Sequence, residues 1–387
     1  MKQKTVITNA HVVSPGVDIL NATVEISGGR ITKVSKKPAP KKGWDTLVDV
    51  KGALVVPGFI DVHTHGALDR DVCDEDHPDS IETLAKAKLA EGCTSFLPTT
   101  LTMGHETLVK AAEHCALYAE NPRYSKALGL HLEGPYINPK CLGAQNPAFV
   151  RKPDIREVLE IAKIFPVLQV SYAPEMEGGA KFAADCVKRG IVPSCGHTGA
   201  KLAEFMPAYE KGLRHMTHFC NQMTPLHHRE IGMVGAGFLI PDLDTEVICD
   251  KIHLCPDMLR LVFARRPLEH IQMITDSLRC SHLPDGFEFE LGGIPVKLQG
   301  GEARLVNGGN LAGSTLWMNQ GLKNIRDVTG LPLKDIVRVT AWNQAIGMGL
   351  GDQLGKVEKG YVADLAVLDP KSFKVRAVFV NGEQRDI

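Results

Sequence analysis

The sequence predicts an α/β protein: a (β/α)8 TIM-like barrel with a small β-sandwich domain built from both chain termini. Between residues 55 and 348, apolar strand candidates alternate with helix candidates, which is the pattern of a parallel barrel. Residues 1–54 and 349–387 contain short β segments joined by turns, so we expect the two ends to pair. The length of 387 residues suits a barrel of about 250 residues with one added module.

The terminal segments carry the alternation of apolar and polar residues that is typical of strands. The N-terminal segments are KTVITNAHVV, NATVEIS and RITKVSK, and Gly28 and Gly29 between the last two favour a hairpin. The C-terminal segments are VADLAVLD and KVRAVFVNGE. We therefore assign residues 1–54 and 349–387 to one small β domain and residues 55–348 to the barrel.

The central region contains eight strand candidates, in the order LVVPGFIDV, TSFLPTT, ALGLHLEGP, VLQVSYAPE, IVPSCGH, LRHMTHF, TEVICD and IQMITDS. Helix candidates between them include DSIETLAKAKLAEG, HETLVKAAEHCALYAE, GGAKFAADCVKRG and GAKLAEFMPAYEKG. A doubly wound sheet is the alternative, but neither a G-x-G-x-x-G nor a Walker sequence follows the first strand. The segment FEFELGGIPVKLQGGEARLV, after the eighth strand, predicts a strand pair.

The composition argues against several classes of partner. The chain has 44 basic and 45 acidic residues, a net charge of −1 and no dominant basic run, so we expect neither nucleic acid nor a membrane as a partner. The first residues lack the apolar segment of a secretory signal, and no stretch approaches the ~18 apolar residues of a membrane span. The ten cysteines are scattered, which is typical of reduced thiols in a cytoplasmic protein.

The first barrel strand ends in the segment PGFIDVHTHG, in which His63 and His65 lie one residue apart. Side chains at positions i and i+2 of a strand point to the same face, so the two imidazoles can hold one metal ion together. The alternative is a pair of ordinary histidines at a strand end. The ends of the other strands decide between the two.

Polar residues recur at the ends of the later strands, where a barrel places its chemistry. These residues are Glu133, His197, His215, His218, Asn221, Asp250, His253 and Asp276. Taken singly, Glu133 could be a paired carboxylate, and His197 or Asp276 could cap a helix. Their recurrence at five strand ends favours a site for zinc or iron, which take nitrogen and oxygen ligands. We assign His131 and His215 to packing.

A metal site of this composition predicts hydrolysis. Metal ions held by histidines and carboxylates can activate a water and polarise a carbonyl. Asp276, as a carboxylate in contact with that water, can take its proton and pass it to a leaving amine. The sequence therefore predicts cleavage of an amide-like bond.

Seven motifs carry a resemblance to a known family: PGFIDVHTHG, GLHLEGPYINPKCLGAQNP, SCGHTGA, THFCNQMTPLHHREIGMVGAG, ITDS, NLAGST and GKVEKGYVADLAVLD. The chain resembles the amidohydrolase superfamily and, within it, the family of N-acetylglucosamine-6-phosphate deacetylases, nearly from end to end. The H-x-H strand marks only the superfamily, whereas HLEGP, the TH…N segment and LAGST in this order are specific to the deacetylases. Some related hydrolases bridge two metals with a carboxylated lysine, and Glu133 stands in that place here.

The resemblance implies a role for each matched residue. A principal metal would be held by Glu133, His197 and His218, and a second by His63, His65 and Asp276. Asp276 would also be the general acid/base. The substrate contacts would be Ala144, Gln145, Asn221, Gln222, Arg229, His253, Leu311, Ala312 and Gly313. Of these, Arg229 would bind a phosphate through its guanidinium fork.

The resemblance also implies the cofactor and the partners. One or two divalent metal ions would bind each subunit, with zinc first and iron, manganese, cobalt or nickel as alternatives. The substrate would be a small phosphorylated amino sugar, and the enzyme would be a homodimer.

Two positions depart from the family pattern. Gln145 stands where many members have a histidine that helps to polarise the acetyl carbonyl, and an amide cannot carry that charge. Gln222 stands where a small residue is common. These changes leave three substrates open: N-acetylglucosamine 6-phosphate, its galactosamine epimer and an N-acyl amino acid. A non-catalytic scaffold is the rival from another class, but all six metal-ligand positions are occupied.

Overall fold

The computed structural model describes residues 3–38 and 42–387. Residues 1, 2 and 39–41, which the sequence assigns to the terminal domain, lie outside the described residues. The predicted fold is confirmed, because a parallel barrel with surrounding helices is joined to a sheet of strands from both chain ends.

The chain begins with strands of the terminal sheet, in which buried residues occur both in alternation and in continuous runs. These are β1 (Lys4–Ser14), β2 (Val17–Ser27), β3 (Arg30–Ser35), β4 (Thr46–Asp49) and β5 (Leu54–Pro57). Strand β1 pairs antiparallel with β2 and parallel with β4 and β5, and β2 pairs antiparallel with β3. The predicted hairpin at Gly28 and Gly29 is therefore confirmed.

The barrel region follows, with strands and helices in alternation. Its strands, four of which have only two residues, are β6 (Phe59–Thr64), β7 (Gly66–Ala67), β8 (Arg70–Asp71), β9 (Cys93–Thr100), β10 (Lys126–Ala127), β11 (Leu130–Glu133), β12 (Val167–Tyr172), β13 (Val192–Cys195), β14 (His215–Met216), β15 (Asp244–Ile248) and β16 (Ile271–Ile274). Its helices are α1 (Ser80–Ala90), α2 (His105–Ala119), α3 (Ile155–Ala162), α4 (Gly179–Val187), α5 (Leu202–Glu210), α6 (Gly232–Leu239) and α7 (Pro256–Arg265). The helices predicted from the four quoted segments are confirmed as α1, α2, α4 and α5.

Strands β6, β9 and β11 to β16 pair in parallel around the barrel. The circle closes between its first and last strands, where the Asp276 amide donates to the His63 carbonyl oxygen at 2.9 Å and the His65 amide donates to the Ser277 carbonyl oxygen at 2.9 Å. The residues that follow β6 and β16 are therefore held side by side at the carboxyl end of the barrel.

After the barrel strands come an insert and the C-terminal elements. The insert has three antiparallel strands, β17 (Glu288–Leu291), β18 (Ile294–Gln299) and β19 (Glu302–Leu305), rather than the predicted pair. The remaining elements are α8 (Met318–Thr329), α9 (Leu333–Ile336), α10 (Trp342–Gly347), β20 (Leu365–Leu368), β21 (Val375–Val380) and β22 (Glu383–Arg385), with 3-10 helices at Pro147–Phe149, Leu268–His270 and Val337–Thr340. Strand β20 pairs antiparallel with β5 and β21, which joins the C-terminal strands to the N-terminal ones.

The segment predicted as one strand, LVVPGFIDV, is divided at Gly58. Leu54–Pro57 belongs to the terminal sheet, whereas Phe59–Thr64 belongs to the barrel. The Gly58 amide donates to the Asp364 carbonyl oxygen at 2.9 Å, and a Cβ at this position would overlap the Thr94 side chain. Glycine is therefore required where the chain passes from one sheet to the other.

Two apolar cores are distinguishable. The barrel core lies between the strands and helices and also takes in residues of the terminal strands, among them Val13, Val56 and Phe373. A second core, including Ile7, Val24 and Phe379, belongs to the terminal sheet. Within the described residues, no helix combines the length and apolarity needed to cross a membrane.

Candidate metal centre and active site

The six residues predicted as metal ligands meet at the carboxyl end of the barrel. His63 lies in β6 and His65 directly after it, Glu133 is the last residue of β11, and His197, His218 and Asp276 each lie two residues beyond a strand. All six side chains are buried or nearly so, with exposed fractions between 0% and 8%. The strand order brings together residues that lie up to two hundred positions apart in the sequence.

One cluster of ligand atoms is formed by the H-x-H pair with two carboxylates. The Nε2 atoms of His63 and His65 are 3.2 Å apart, and they lie 3.3 Å and 3.4 Å from the Glu133 carboxylate oxygens. Asp276 Oδ1 lies 3.2 Å from His65 Nε2 and 3.6 Å from His63 Nε2. The predicted second site is thus assembled around one point.

A second cluster shares the same glutamate. His197 Nε2 and His218 Nε2 lie 3.2 Å and 3.0 Å from Glu133 Oε1, and they are 3.1 Å from one another. In each cluster, ligand atoms of two histidines and Glu133 lie within 4.8 Å of one another. Glu133 therefore contacts both halves of the centre, as the resemblance implied.

The imidazoles are held so that their Nε2 atoms face the common space. His65 Nδ1 donates to the Thr99 carbonyl oxygen at 3.1 Å, and His197 Nδ1 donates to the Cys141 carbonyl oxygen at 2.8 Å. A carbonyl can only accept, so Nδ1 carries a hydrogen, and in the neutral imidazole the lone pair of Nε2 is available to a metal ion. This outer hydrogen bond is what orients metal-binding histidines, and the donor set of nitrogen and carboxylate oxygen suits zinc or iron. The residues present therefore fit a divalent metal.

Opposite charges are concentrated in this buried space. Burial would lower the pKa of His65, but Asp276 and Glu133 outweigh it and raise the pKa to about 9. Burial would also lower the pKa of His63, and Glu133, Asp276 and Glu246 raise it well above its usual value. The imidazoles in turn hold the pKa of Glu133 and Asp276 below the usual range, although burial alone would raise both. Both carboxylates are therefore ionised at neutral pH.

The backbone at three of these positions is left-handed. The φ angles are 47° at His197, 30° at His218 and 54° at Asp276, a region that residues other than glycine rarely adopt. These turns direct each side chain back over the end of the barrel. The predicted strand LRHMTHF is short for the same reason, because the chain leaves the sheet after Met216 and turns at His218.

Glu246 supports the centre from within the barrel, and sequence reasoning missed it. Its Oε2 accepts from His63 Nδ1 at 2.9 Å and from the backbone N–H of His218 at 3.1 Å. Its Oε1 accepts from the side-chain Nε2 of Gln169 at 2.6 Å. Glu246 is fully buried, and a carboxylate inside the apolar segment TEVICD is the signal that could have identified it.

The metal centre opens into a cavity of about 340 Å³, called here the substrate cavity. Most of the predicted substrate contacts line it, namely Ala144, Gln145, Asn221, Gln222, His253, Leu311 and Gly313. Ala312 is buried behind this wall and packs with the apolar side of the insert. Leu278, Leu291 and Arg304 also line the cavity and were not predicted.

Arg229 lies apart from the other predicted substrate contacts. It belongs to an exposed segment, His227–Glu230, and its Nη1 is 2.7 Å from the ring nitrogen of His228. It does not line the substrate cavity.

Two predicted substrate contacts are held in place by their neighbours. Gln145 Nε2 donates to Glu133 Oε2 at 2.5 Å, and its Oε1 accepts from the Thr102 amide at 2.8 Å. The Gln145 amide is therefore directed at a metal ligand. His253 Nδ1 lies 2.7 Å from Asp250 Oδ2. Burial would lower the pKa of His253, but the hydrogen bond and charge of Asp250 raise it above its usual value.

Residues 54–385 match the family model described as Amidohydrolase family. The chain belongs to the amidohydrolase family. The resemblance inferred from the motifs is therefore confirmed at the level of the family.

Known amidohydrolases extend the comparison. An N-acetylglucosamine-6-phosphate deacetylase of Bacillus subtilis (strain 168) is 34% identical over 380 residues, which cover 95% of this chain and 94% of that protein. An N-acetylgalactosamine-6-phosphate deacetylase of Escherichia coli O157:H7 is 32% identical over 336 residues, covering 85% of this chain and 87% of that protein. A mutant N-acetyl-D-glucosamine-6-phosphate deacetylase of Mycobacterium smegmatis, solved in complex with N-acetyl-D-glucosamine-6-phosphate, superposes with a TM-score of 0.89 at 28% identity, covering 99% of each chain.

Proposed function

We propose that this amidohydrolase removes the acetyl group from N-acetyl-D-glucosamine 6-phosphate, giving glucosamine 6-phosphate and acetate. The observation that carries the proposal is the position of Asp276, whose carboxylate contacts the His63 and His65 pair and also lines the substrate cavity. A group so placed can exchange protons with a substrate bound at the metal centre. The deacetylase relatives and the sugar phosphate in the Mycobacterium smegmatis complex support the choice of substrate.

The proton transfers are assigned to Asp276. A divalent metal held by Glu133, His197 and His218, with a second ion held by His63, His65 and Asp276 where two are bound, would activate a water and polarise the acetyl carbonyl. Asp276 is ionised, because neighbouring imidazoles lower its pKa, so it can accept the proton of the attacking water. It then donates that proton to the nitrogen of the departing amine. Water supplies the oxygen that acetate gains, and the C–N bond breaks.

The cavity suits a small polar substrate. Its volume of about 340 Å³ is at the lower end of small-molecule sites, which favours a single sugar over a longer chain. Asn221, Gln222 and His253 supply hydrogen-bonding groups, while Ala144 and the Leu311–Gly313 segment supply backbone walls. We assign the substrate contacts to these residues. Ala312 supports them from behind the cavity wall. Arg229 is a further proposed contact, which does not line the cavity of a single chain.

Several finer features belong to the same proposal. We infer one or two ions per subunit, with zinc as the first choice and iron, manganese, cobalt or nickel as alternatives. We also infer a cytoplasmic homodimer, in which residues 55–348 form the catalytic barrel and residues 1–54 and 349–387 form the small β domain.

N-acetylgalactosamine 6-phosphate is the second candidate substrate, and the Escherichia coli O157:H7 relative favours it. The two sugars differ only in the configuration at C4. Gln222, which adopts a left-handed backbone at the cavity wall with φ 49°, is one group able to distinguish them.

The test combines metal analysis with acetate release from both epimeric sugar phosphates. We expect rapid turnover of the glucosamine derivative, metal in the purified protein, and loss of turnover in Asp276→Asn with the His197 and His218 metal retained. Faster turnover of the galactosamine epimer would select the second candidate. Metal without turnover of either sugar would contradict the proposal.

A further inference from the structure

Arg304 is the one arginine or lysine that lines the substrate cavity among the described residues. It lies in β19 of the three-stranded insert, away from the barrel strands that carry the metal centre. Histidines also line the cavity, and three of them, His65, His197 and His218, face the metal centre. Within one chain, a dianionic phosphate that enters this cavity therefore meets Arg304 as the one arginine or lysine among the described lining residues, whereas Arg229 lies outside the cavity.

The Arg304 guanidinium is engaged by weak local partners. Its Nε donates to Glu302 Oε2 at 2.7 Å, and its Nη1 donates to the Gly309 carbonyl oxygen at 2.7 Å. The exposed fraction of the Arg304 side chain is 46%, and that of the Glu302 side chain is 30%. An ion pair at this exposure contributes little to stability, so it can be exchanged for a stronger partner at small cost.

His253 lies within the electrostatic reach of the same pair. His253 and Arg304 line the same cavity, and the charge of Glu302 is among the groups that raise the pKa of His253. Together, Arg304 and His253 offer two cationic donors to a ligand in this cavity.

We propose that Arg304 is a phosphate-binding and specificity-determining residue of this enzyme, and that Glu302 holds its guanidinium until the substrate phosphate replaces the carboxylate. The proposal rests on the proposed function, since it needs a phosphorylated sugar. Arginine presents a planar pair of N–H donors that matches phosphate geometry. The phosphate is thereby bound by the insert while the acetamide lies at the metal centre.

The role of Glu302 gives the proposal a second, opposite consequence. Before binding, the phosphate must displace Glu302 from Arg304, and the carboxylate also repels the incoming dianion. Removing this charge therefore strengthens binding of the phosphorylated sugar, whereas removing Arg304 weakens it.

The experiment compares KM and kcat for N-acetylglucosamine 6-phosphate and unphosphorylated N-acetylglucosamine in the metal-loaded enzyme. In Arg304→Ala we expect KM for the phosphorylated sugar to rise about 10- to 100-fold, the effect of losing a charged hydrogen-bond pair, with kcat little changed. KM for the unphosphorylated sugar stays the same. Arg304→Lys recovers part of the loss, and Glu302→Gln lowers KM for the phosphorylated sugar.

Arg260→Ala is the matched control, because Arg260 is an exposed arginine on α7 that also pairs with a nearby carboxylate, Asp257. It leaves both KM values unchanged. Equal KM values for wild type and Arg304→Ala would overturn the proposal while leaving the proposed function intact. An equal rise for both sugars would also overturn it, because that pattern indicates structural damage. If the wild-type enzyme hydrolyses neither sugar, that result contradicts both the proposed function and the proposed role of Arg304.

Discussion

At the scale of single residues, one carboxylate connects the two halves of the metal centre. Glu246 accepts from the His63 ring through Oε2 and from the His218 backbone through the same oxygen. The pKa of Glu246 lies well below its usual range, because the charges of His63 and His215 outweigh the effect of burial. It is therefore an ionised positioning residue that holds the ring of His63 and the main chain of His218 in place.

We predict that Glu246→Gln lowers metal affinity by about 10- to 100-fold, the usual effect of removing an outer partner of a histidine ligand. Competition with a chelator, followed by elemental analysis, measures the loss. Glu113→Gln is the control, because Glu113 is an exposed glutamate on α2 that pairs with Lys110. Unchanged metal retention in Glu246→Gln would contradict this role.

His253 gives a prediction about pH. Because Asp250 raises its pKa, the imidazolium persists to higher pH than for a free histidine and remains available to an anionic substrate. We expect KM for the sugar phosphate to rise as the pH increases through this raised pKa. In Asp250→Asn the pKa falls, so the same rise in KM occurs at lower pH. A KM–pH profile that Asp250→Asn does not shift would show that His253 binds in its neutral form.

The clustering of the six proposed metal ligands could be predicted from sequence because each one ends a strand or follows it in a short polar motif. Arg304 and the partners of Glu246 could not be predicted, for different physical reasons. Glu246 lies inside a strand, where a carboxylate gives no indication of which buried histidine it contacts. Arg304 lies in the insert, and its approach to the cavity depends on how that insert folds over the barrel. Arg229 is the opposite case. Its motif matches the family pattern, but its segment is exposed and does not line the substrate cavity.

At the scale of secondary structure, the strand order was predictable and several strand boundaries were not. Apolar composition located all eight barrel strands, yet it could not show that Leu54–Pro57 pairs with β20 and Phe59–Thr64 with β9. That division depends on contacts with strands more than thirty positions away. Propensity likewise extended the sixth strand to Phe219, where the backbone turns to present His218.

Helix α1 is joined to the barrel by a buried charged group that the sequence did not reveal. Lys88 is fully buried, and its Nζ lies 3.1 Å from Asp61 Oδ2, 3.1 Å from Glu91 Oε2 and 3.1 Å from Thr275 Oγ1. Burial raises the pKa of Asp61, while Lys88 holds the pKa of Glu91 below its usual range against the effect of burial. The network links α1 to the strands that carry His63 and Asp276.

We predict that Lys88→Met reduces the free energy of unfolding by about 3–5 kcal/mol, because it leaves two buried carboxylates without their cation. Urea denaturation followed by circular dichroism measures the change. Lys86→Met on the same helix is the matched control, since Lys86 is exposed, and we expect a change within about 0.5 kcal/mol. A similar small effect of Lys88→Met would show that the network does not stabilise the fold.

At the scale of the whole molecule, the terminal strands and the barrel share apolar contacts. Phe373 is fully buried in the same cluster as barrel residues, and its carbonyl oxygen accepts from Asn319 at 3.1 Å. Lys126 beside the barrel pairs with Asp364 of the terminal region at 2.5 Å. The two sequence domains are therefore not separated by a solvent-filled boundary.

We predict that both parts unfold in one thermal transition, because neither can expose this shared surface alone. Calorimetry of the metal-loaded protein, with equal calorimetric and van't Hoff enthalpies, is the test. Phe373→Ala should lower the midpoint of that single transition, since truncating a buried phenylalanine costs about 3–5 kcal/mol. Two resolved transitions, with only the first shifted by Phe373→Ala, would show independent domains.

The left-handed backbone at His197, His218 and Asp276 sets a limit on how this enzyme can be improved. Each such position stores about 1–3 kcal/mol of strain, which glycine would relieve. Selection for heat resistance alone would therefore favour glycine at these three positions and remove the side chains that are proposed to bind metal. Thermostability has to be sought elsewhere on the molecule, with retention of metal as the counter-selection.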